Sequence, residues 1–213
     1  LDPKMADPNI SPAWIVAGFF CLVGGIMFLA WRAEKKRREA LVTVAHDLGL
    51  GFEPKPQEAV GLNLPDLGLF RKGGSRRAGN LMRGPMGDAD GMLFDYQYTT
   101  GSGKNRSTHR QTVAAFRVPG ARLPGFRCEP EHFFHRIGEA LGFHDIDFDA
   151  YPVFSKKYRL NGEDESAVRA LFGDTIVRLL EAKVEEHWSL EGAGDWLVIY
   201  RAGRRAKPED WPQ

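Results

Sequence analysis

Leu93-Phe94-Asp95-Tyr96-Gln97-Tyr98 is the stretch that decides the fold. Positions 94, 96 and 98 are aromatic, while 95 and 97 are polar. A period of two turns one face of a strand toward a core and the other toward water. The same texture recurs on both sides in short runs, Gly79–Arg83, Met92–Thr100 and Gln111–Val118. Turn-rich segments, Gly84–Gly91 and Gly101–Thr108, divide them. Three such runs joined by tight turns predict an antiparallel meander.

Downstream, helical spacing alternates with further strand signals. Pro130 opens a predicted helix through Leu141, with Phe133, Phe134, Ile137 and Leu141 on one face and Gly142 as its stop. Ile146 and Phe148 alternate with Asp145, Asp147 and Asp149, which predicts a short edge strand. Lys157–Leu160 predicts another strand, and Asn161-Gly162 a turn. Asp164 is placed to cap a helix reaching Phe172. Asp174–Val184 brings Ile176, Val177, Leu180 and Val184 to one side of a second helix. Glu186–Glu191 and Trp196–Arg201 read as a closing hairpin that turns at Gly192–Gly194. The expectation is an α+β domain with one antiparallel sheet, meander plus hairpin, covered on one face by helices.

Upstream of the meander the texture is different. Ala13 to Trp31 reads AWIVAGFFCLVGGIMFLAW and carries no charge. Its 19 residues would span roughly 28 Å as a helix, close to the hydrocarbon thickness of a bilayer. Trp14 and Trp31 sit at its ends, where indoles favour the headgroup region. A cleaved signal peptide would place positive charge before the apolar run. Here the charge follows it, in Arg32, Lys35, Lys36, Arg37 and Arg38. That excess marks a cytoplasmic flank, so the span reads as a single-pass inner (cytoplasmic) membrane anchor with the N-terminus outside. The same five residues suit anionic lipid headgroups. Within the span, Ala13, Ala17, Cys21 and Gly25 recur every four residues as a small-residue face for packing against a second helix. Ala40, Leu41, Val44, Ala45 and Leu48 extend the helical spacing until Gly49 and Gly51. The resulting organisation is an extracytoplasmic 1–12, a transmembrane 13–31, a basic juxtamembrane helix 32–51, a cytoplasmic domain 52–203 and a tail 204–213. The start is either Leu1 or Met5.

In the C-terminal part, Phe154-Ser-Lys-Lys-Tyr158-Arg-Leu160, then Asp164 or Glu165, Ala167-Val168-Arg169-Ala170-Leu171-Phe172 and Leu179-Leu180 resemble an uncharacterised bacterial family of membrane-anchored proteins. The resemblance covers about 154–201. It departs at Phe172-Gly173, where that family carries a turn of the Leu-Thr-Pro kind. It implies a membrane-tethered cytoplasmic α+β domain and carries over no catalytic residues.

Net charge is +1 and mean hydropathy −0.35. With the juxtamembrane cluster set aside the body is close to neutral, which argues against nucleic acid as a partner. The two cysteines, Cys21 in the span and Cys128 in the domain, suit free thiols. Gly101-Ser102-Gly103-Lys104 ends like a phosphate-binding loop. It lacks the earlier glycine and the following Ser or Thr, and reads as a hairpin turn. His132 and His135 stand three apart, with Glu139, His144 and Asp145 nearby, and make a weak metal-site candidate. Ser107, Thr108 and His109 lack the elbow of a nucleophilic serine. Arg71, Lys72, Arg76, Arg77 and Arg83, with no acid among them, read as a mobile basic loop that suits lipid. No catalytic motif or cofactor site assembles. The expected function is therefore a non-enzymatic accessory protein docking on a membrane protein complex. The alternatives are a tethered enzyme or metal-dependent sensor using His132, His135 and Asp145, and a binder of anionic lipid headgroups.

Overall fold

The computed structural model describes residues 12–55, 66–131 and 145–211. The chain divides into two compact units, 1–41 and 42–213.

The first unit holds most of helix α1, Pro12–Asp47. From Val16 onward the helix is long and apolar enough to cross a membrane, and its apolar window is not buried by the rest of the chain. Ala17, Cys21 and Gly25 are exposed, and open space surrounds Gly24 and Gly25. Ala13 lies within α1. Arg32, Lys35 and Lys36 are exposed, whereas Arg37 and Arg38 are half-buried. Lys35 lies 5.7 Å above the Trp31 ring. The helix stops where the glycine spacing predicts, with Gly49 at φ +67° and the Leu50 N–H returning to the Ala45 carbonyl.

The second unit is built on eight strands: β1 Gly51–Glu53, β2 Gly74–Met86, β3 Ala89–Thr100, β4 Ser107–Arg117, β5 Leu123–Pro130, β6 Tyr158–Gly162, β7 Trp188–Gly194 and β8 Trp196–Arg201. They form one sheet in the order β1-β2-β3-β4-β8-β7-β5-β6, and every neighbouring pair is antiparallel. Among the described residues, the α-helical segments α2 Gly68–Arg71, α3 Pro152–Lys157, α4 Glu165–Leu171 and α5 Asp174–Ala182 accompany it. The fold class is α+β, as the alternating pattern predicts.

The meander is longer than its sequence signal. β2 begins at Gly74 because two irregularities, between Gly74 and Arg77 and between Gly79 and Met82, accommodate glycine-rich sequence. Ser75 and Asn80 take positive φ there. The expected mobile basic loop is therefore largely strand, and Lys72 is buried rather than free. The β2–β3 turn is only Gly87-Asp88, since Met86 pairs with Ala89.

Other expectations are corrected. Pro130 ends β5 opposite Tyr158, and Glu131 directly after it is helical, where the predicted helix opens; the rest of that helix, with His132 and His135, lies outside the described residues. Asp145–Phe148 is not a regular strand. One backbone bond, from the Ile146 N–H to the Leu160 carbonyl at 2.8 Å, joins it to β6. Asn161-Gly162 continues β6 rather than turning. Asp164 does cap α4, accepting from the Ala167 N–H at 3.0 Å. Residues Arg204–Ala206, read as the start of a tail, lie along β4. The Thr112 N–H reaches the Arg204 carbonyl, Thr112 Oγ1 accepts from Ala206, and Arg205 meets Asp95 at 2.7 Å.

Each face of the sheet carries its own apolar cluster, over different strands, rather than one face being covered throughout. Leu67 and Leu69, from the α2 segment, pack with Phe94, Tyr96, Val113, Val198 and Tyr200. Phe154, Tyr158, Leu160, Val168, Phe172, Val177 and Leu180 form a second cluster beneath α3, α4 and α5, with Leu197 packed against it. Val198 belongs to one cluster and Leu197 to the other. Strand alternation thus places the clusters on opposite faces.

Candidate functional site

β5 carries the polar heart of the domain. Phe126 and Cys128 face the helices, so Arg127 and Glu129 point to the other side, where Arg127 stands opposite Glu191 of β7. Lys72 reaches in from just after α2, its Nζ 2.6 Å from Glu129 Oε1. The Tyr200 hydroxyl lies 2.9 Å from Glu129 Oε1 and 2.8 Å from Glu191 Oε1. Glu191 Oε2 accepts from the Leu69 backbone N–H at 3.0 Å, and Arg127 Nε is 3.7 Å from Glu191 Oε1. Glu191 is 1 % exposed and Tyr200 1 %.

Two cations and two carboxylates balance around one neutral phenol. Tyr200 has a single proton and can donate to only one carboxylate at a time. Its ionisation is pushed well above the usual range, first by burial and then by the charges of Glu191 and Glu129. Burial also pushes the Glu129 carboxyl upward. The charges of Lys72 and Arg127, with hydrogen bonds from Lys72 and Tyr200, outweigh burial and hold it below its ordinary value. A carboxyl whose pKa is lower folded than unfolded contributes stability that is complete above the unfolded value, 4.5, and is lost as pH falls through the folded one. Unfolding free energy should therefore decline with acid below about pH 4.5. Glu129→Gln should flatten that decline, as urea titrations across that window would reveal. An unchanged pH slope in the variant would place the sensitivity elsewhere.

Beside the network a cleft of about 570 Å³ opens, lined by Asp66, Gly68, Arg71, Arg127, Asn161, Glu163, Glu191 and Gly192 among others. The Arg127 guanidinium lies where a Cβ at Gly68 would be, so a side chain there would require that guanidinium to move. At the rim, Arg71 and Asp66 make paired contacts of 2.6 Å. Lys72, Arg127, Glu129, Glu191 and Tyr200 engage one another, and with the Leu69 N–H they tie the α2 segment to β5, β7 and β8.

Neither cysteine forms a disulfide. Cys128 is fully enclosed, and burial pushes its thiol far up, which makes a poor nucleophile. Among the described residues no group of three His, Cys, Asp or Glu side chains is placed to hold a metal. Of the metal candidates only Asp145 is described. Its carboxylate accepts from the Leu160 N–H at 3.0 Å and faces Arg159 at 3.4 Å, which fastens the segment after residue 144 to β6. Burial raises its pKa, against the hydrogen bond from Leu160 and the charge of Arg159. Gly101–Lys104 is a hairpin connection, with a 3-10 turn at Gly103–Asn105. His109 stacks on Tyr98 at 4.8 Å and contacts Thr100 Oγ1 at 2.8 Å.

Sequence reasoning missed the network altogether. A strand with charges at alternate positions reads as solvent-facing, and only the pairing of β5 with β7 shows that this side is covered. The available signal was Lys72 within an apolar approach and Glu191 within the hairpin.

No family model and no curated protein matches the chain. The resemblance over 154–201 thus rests on its own residues, and most of these (Phe154, Tyr158, Leu160, Val168, Phe172 and Leu180) are members of the second core cluster. Among solved structures, the crystal structure of the mycobacterial trehalose monomycolate transport factor A, TtfA, is similar. It has a TM-score of 0.59 at 12 % identity, over 85 % of this chain and 88 % of that one. At that identity the likeness is one of fold.

Proposed function

We propose that this chain is a non-enzymatic accessory protein, anchored by α1, whose domain lies on the cytoplasmic side and docks on a membrane protein complex. The observation that carries the reading is the unburied apolar helix, with Ala17, Cys21 and Gly25 exposed, followed by basic residues and a domain whose buried charges pair with each other. Support comes from the similar fold of a protein described as a transport factor. In lipid, helices associate through close packing of small residues rather than through hydrophobicity.

Two measurements test it. A fluorescent protein fused after Gln213 should be active and a periplasmic phosphatase at the same place inactive; the reverse pattern sinks the orientation. Ala17→Leu with Gly25→Leu should weaken co-purification with the membrane partner roughly 3- to 30-fold, corresponding to about 0.6–2 kcal/mol of helix contact. Insertion should be unchanged, because leucine favours it. Full retention of the partner in the double variant would reduce the span to a tether.

A further inference from the structure

At one end of the meander, cations gather without acids. No Asp or Glu lies between Asp66 and Asp88, or between Asp95 and Glu129. Folding brings these two stretches side by side, since Arg77 pairs with Gln97 and Gln97 with Arg110. Cross-strand partners project to the same side, so the two arginines flank Gln97 on one face, with Cα atoms about 10 Å apart. Lys104 and Arg106 extend the patch around the β3–β4 turn. All four cations are exposed. Arg110 donates to Gln97 at 3.4 Å, and none of the four joins an ion pair among the described residues. Other cations of the domain do have carboxylate partners, such as Lys72 with Glu129 and Arg117 with Asp195. Among the described residues, Asp95 on this face is already engaged by Arg205, Asn80 and Thr112. The opposite face of the same strands carries the buried Tyr96 and Tyr98.

We infer that this basic sheet face is a second membrane contact, resting on the anionic surface of the bilayer that holds α1. The inference depends on the anchoring reading. A pocket for a single phosphate or carboxylate would use sheltered, oriented donors. Here the cationic ends stand apart on an open sheet, which suits a planar field of charge. Their spacing is close to the screening length of physiological salt, about 8–10 Å, so their attractions to one surface add. The tether supplies a high local concentration, so weak contacts suffice.

The test uses the full chain with Cys21→Ala and Ser102→Cys, an environment-sensitive fluorophore being attached at residue 102 in the exposed turn; Cys128 is enclosed and stays unlabelled. The protein is reconstituted into vesicles of phosphatidylcholine, alone or mixed with phosphatidylglycerol. Emission should rise about threefold in the anionic vesicles and fall back in high salt. Arg77→Gln, Arg106→Gln and Arg110→Gln together should abolish the rise while the signal in neutral vesicles stays the same. Equal emission in both vesicle types, with the chain floating with the vesicles, overturns the second contact and leaves the patch to an acidic protein segment. Retention of the rise in the triple variant overturns it as well. A chain that fails to float overturns the anchoring reading, and this inference with it.

Discussion

Lys72→Met should destabilise the domain by about 3–5 kcal/mol, the cost of removing one partner of a buried ion pair. Methionine retains most of the apolar stem but not the ammonium 2.6 Å from Glu129. The carboxylate, on a residue only 7 % exposed, would keep the Tyr200 hydroxyl, which Glu191 also contacts. Adding Glu129→Gln should restore part of the loss, because a neutral amide tolerates burial better than an unpaired charge. Urea unfolding of the full chain in detergent, followed through its aromatic signal, gives both values and their coupling. A loss below about 1 kcal/mol would show that water reaches Glu129 or that a proton neutralises it.

Phe154→Ala is the second large effect, again about 3–5 kcal/mol. Phe154 is fully buried. It stacks on Tyr158 at 5.4 Å, meets the edge of Phe148 at 5.7 Å and leans on Phe172 at 6.5 Å. Its backbone N–H also donates to Glu181 Oε1 at 2.8 Å, tying α3 to α5. Truncation removes the ring that the other three contact and leaves a cavity between a sheet and three short helices. Phe154→Leu should cost much less, since most of the volume is retained. Hydrogen exchange should report faster opening in α3, α4 and α5 than in β2–β4, whose core lies on the other face. Uniform loss of protection across the sheet would mean that the two clusters unfold as one.

Both predictions turn on features that were unequally legible. The second cluster was readable because Val168, Phe172, Val177 and Leu180 keep helical spacing, and Asp164 announces its helix. β3 was readable from strict alternation. β5 was not. Its charged residues alternate with Phe126 and Cys128, and nothing local distinguishes an outward arginine from one lying against Glu191. Its partners β6 and β7 are distant in sequence, so the burial that decides the matter is tertiary. Helix α3 was absorbed into a motif because Pro152–Lys157 makes fewer than two turns. The beginning of β2 was hidden by glycines and two irregularities, which resemble a loop until the partner strand is known. Of the metal candidates only Asp145 is described, and its carboxylate is engaged by the β6 backbone and by Arg159.

The central seam of the sheet has a consequence in time. β4 and β8 are paired from Val113 to Arg117, yet they are separated by roughly 80 residues of chain, about 4–16 s of synthesis at ordinary ribosome speeds. Through that interval the side of β4 that will receive Trp196–Tyr200 has no strand to bond. The nascent chain would present an open strand edge to its surroundings. A chaperone that shields β4 during this window would raise the yield of folded protein without touching the finished domain.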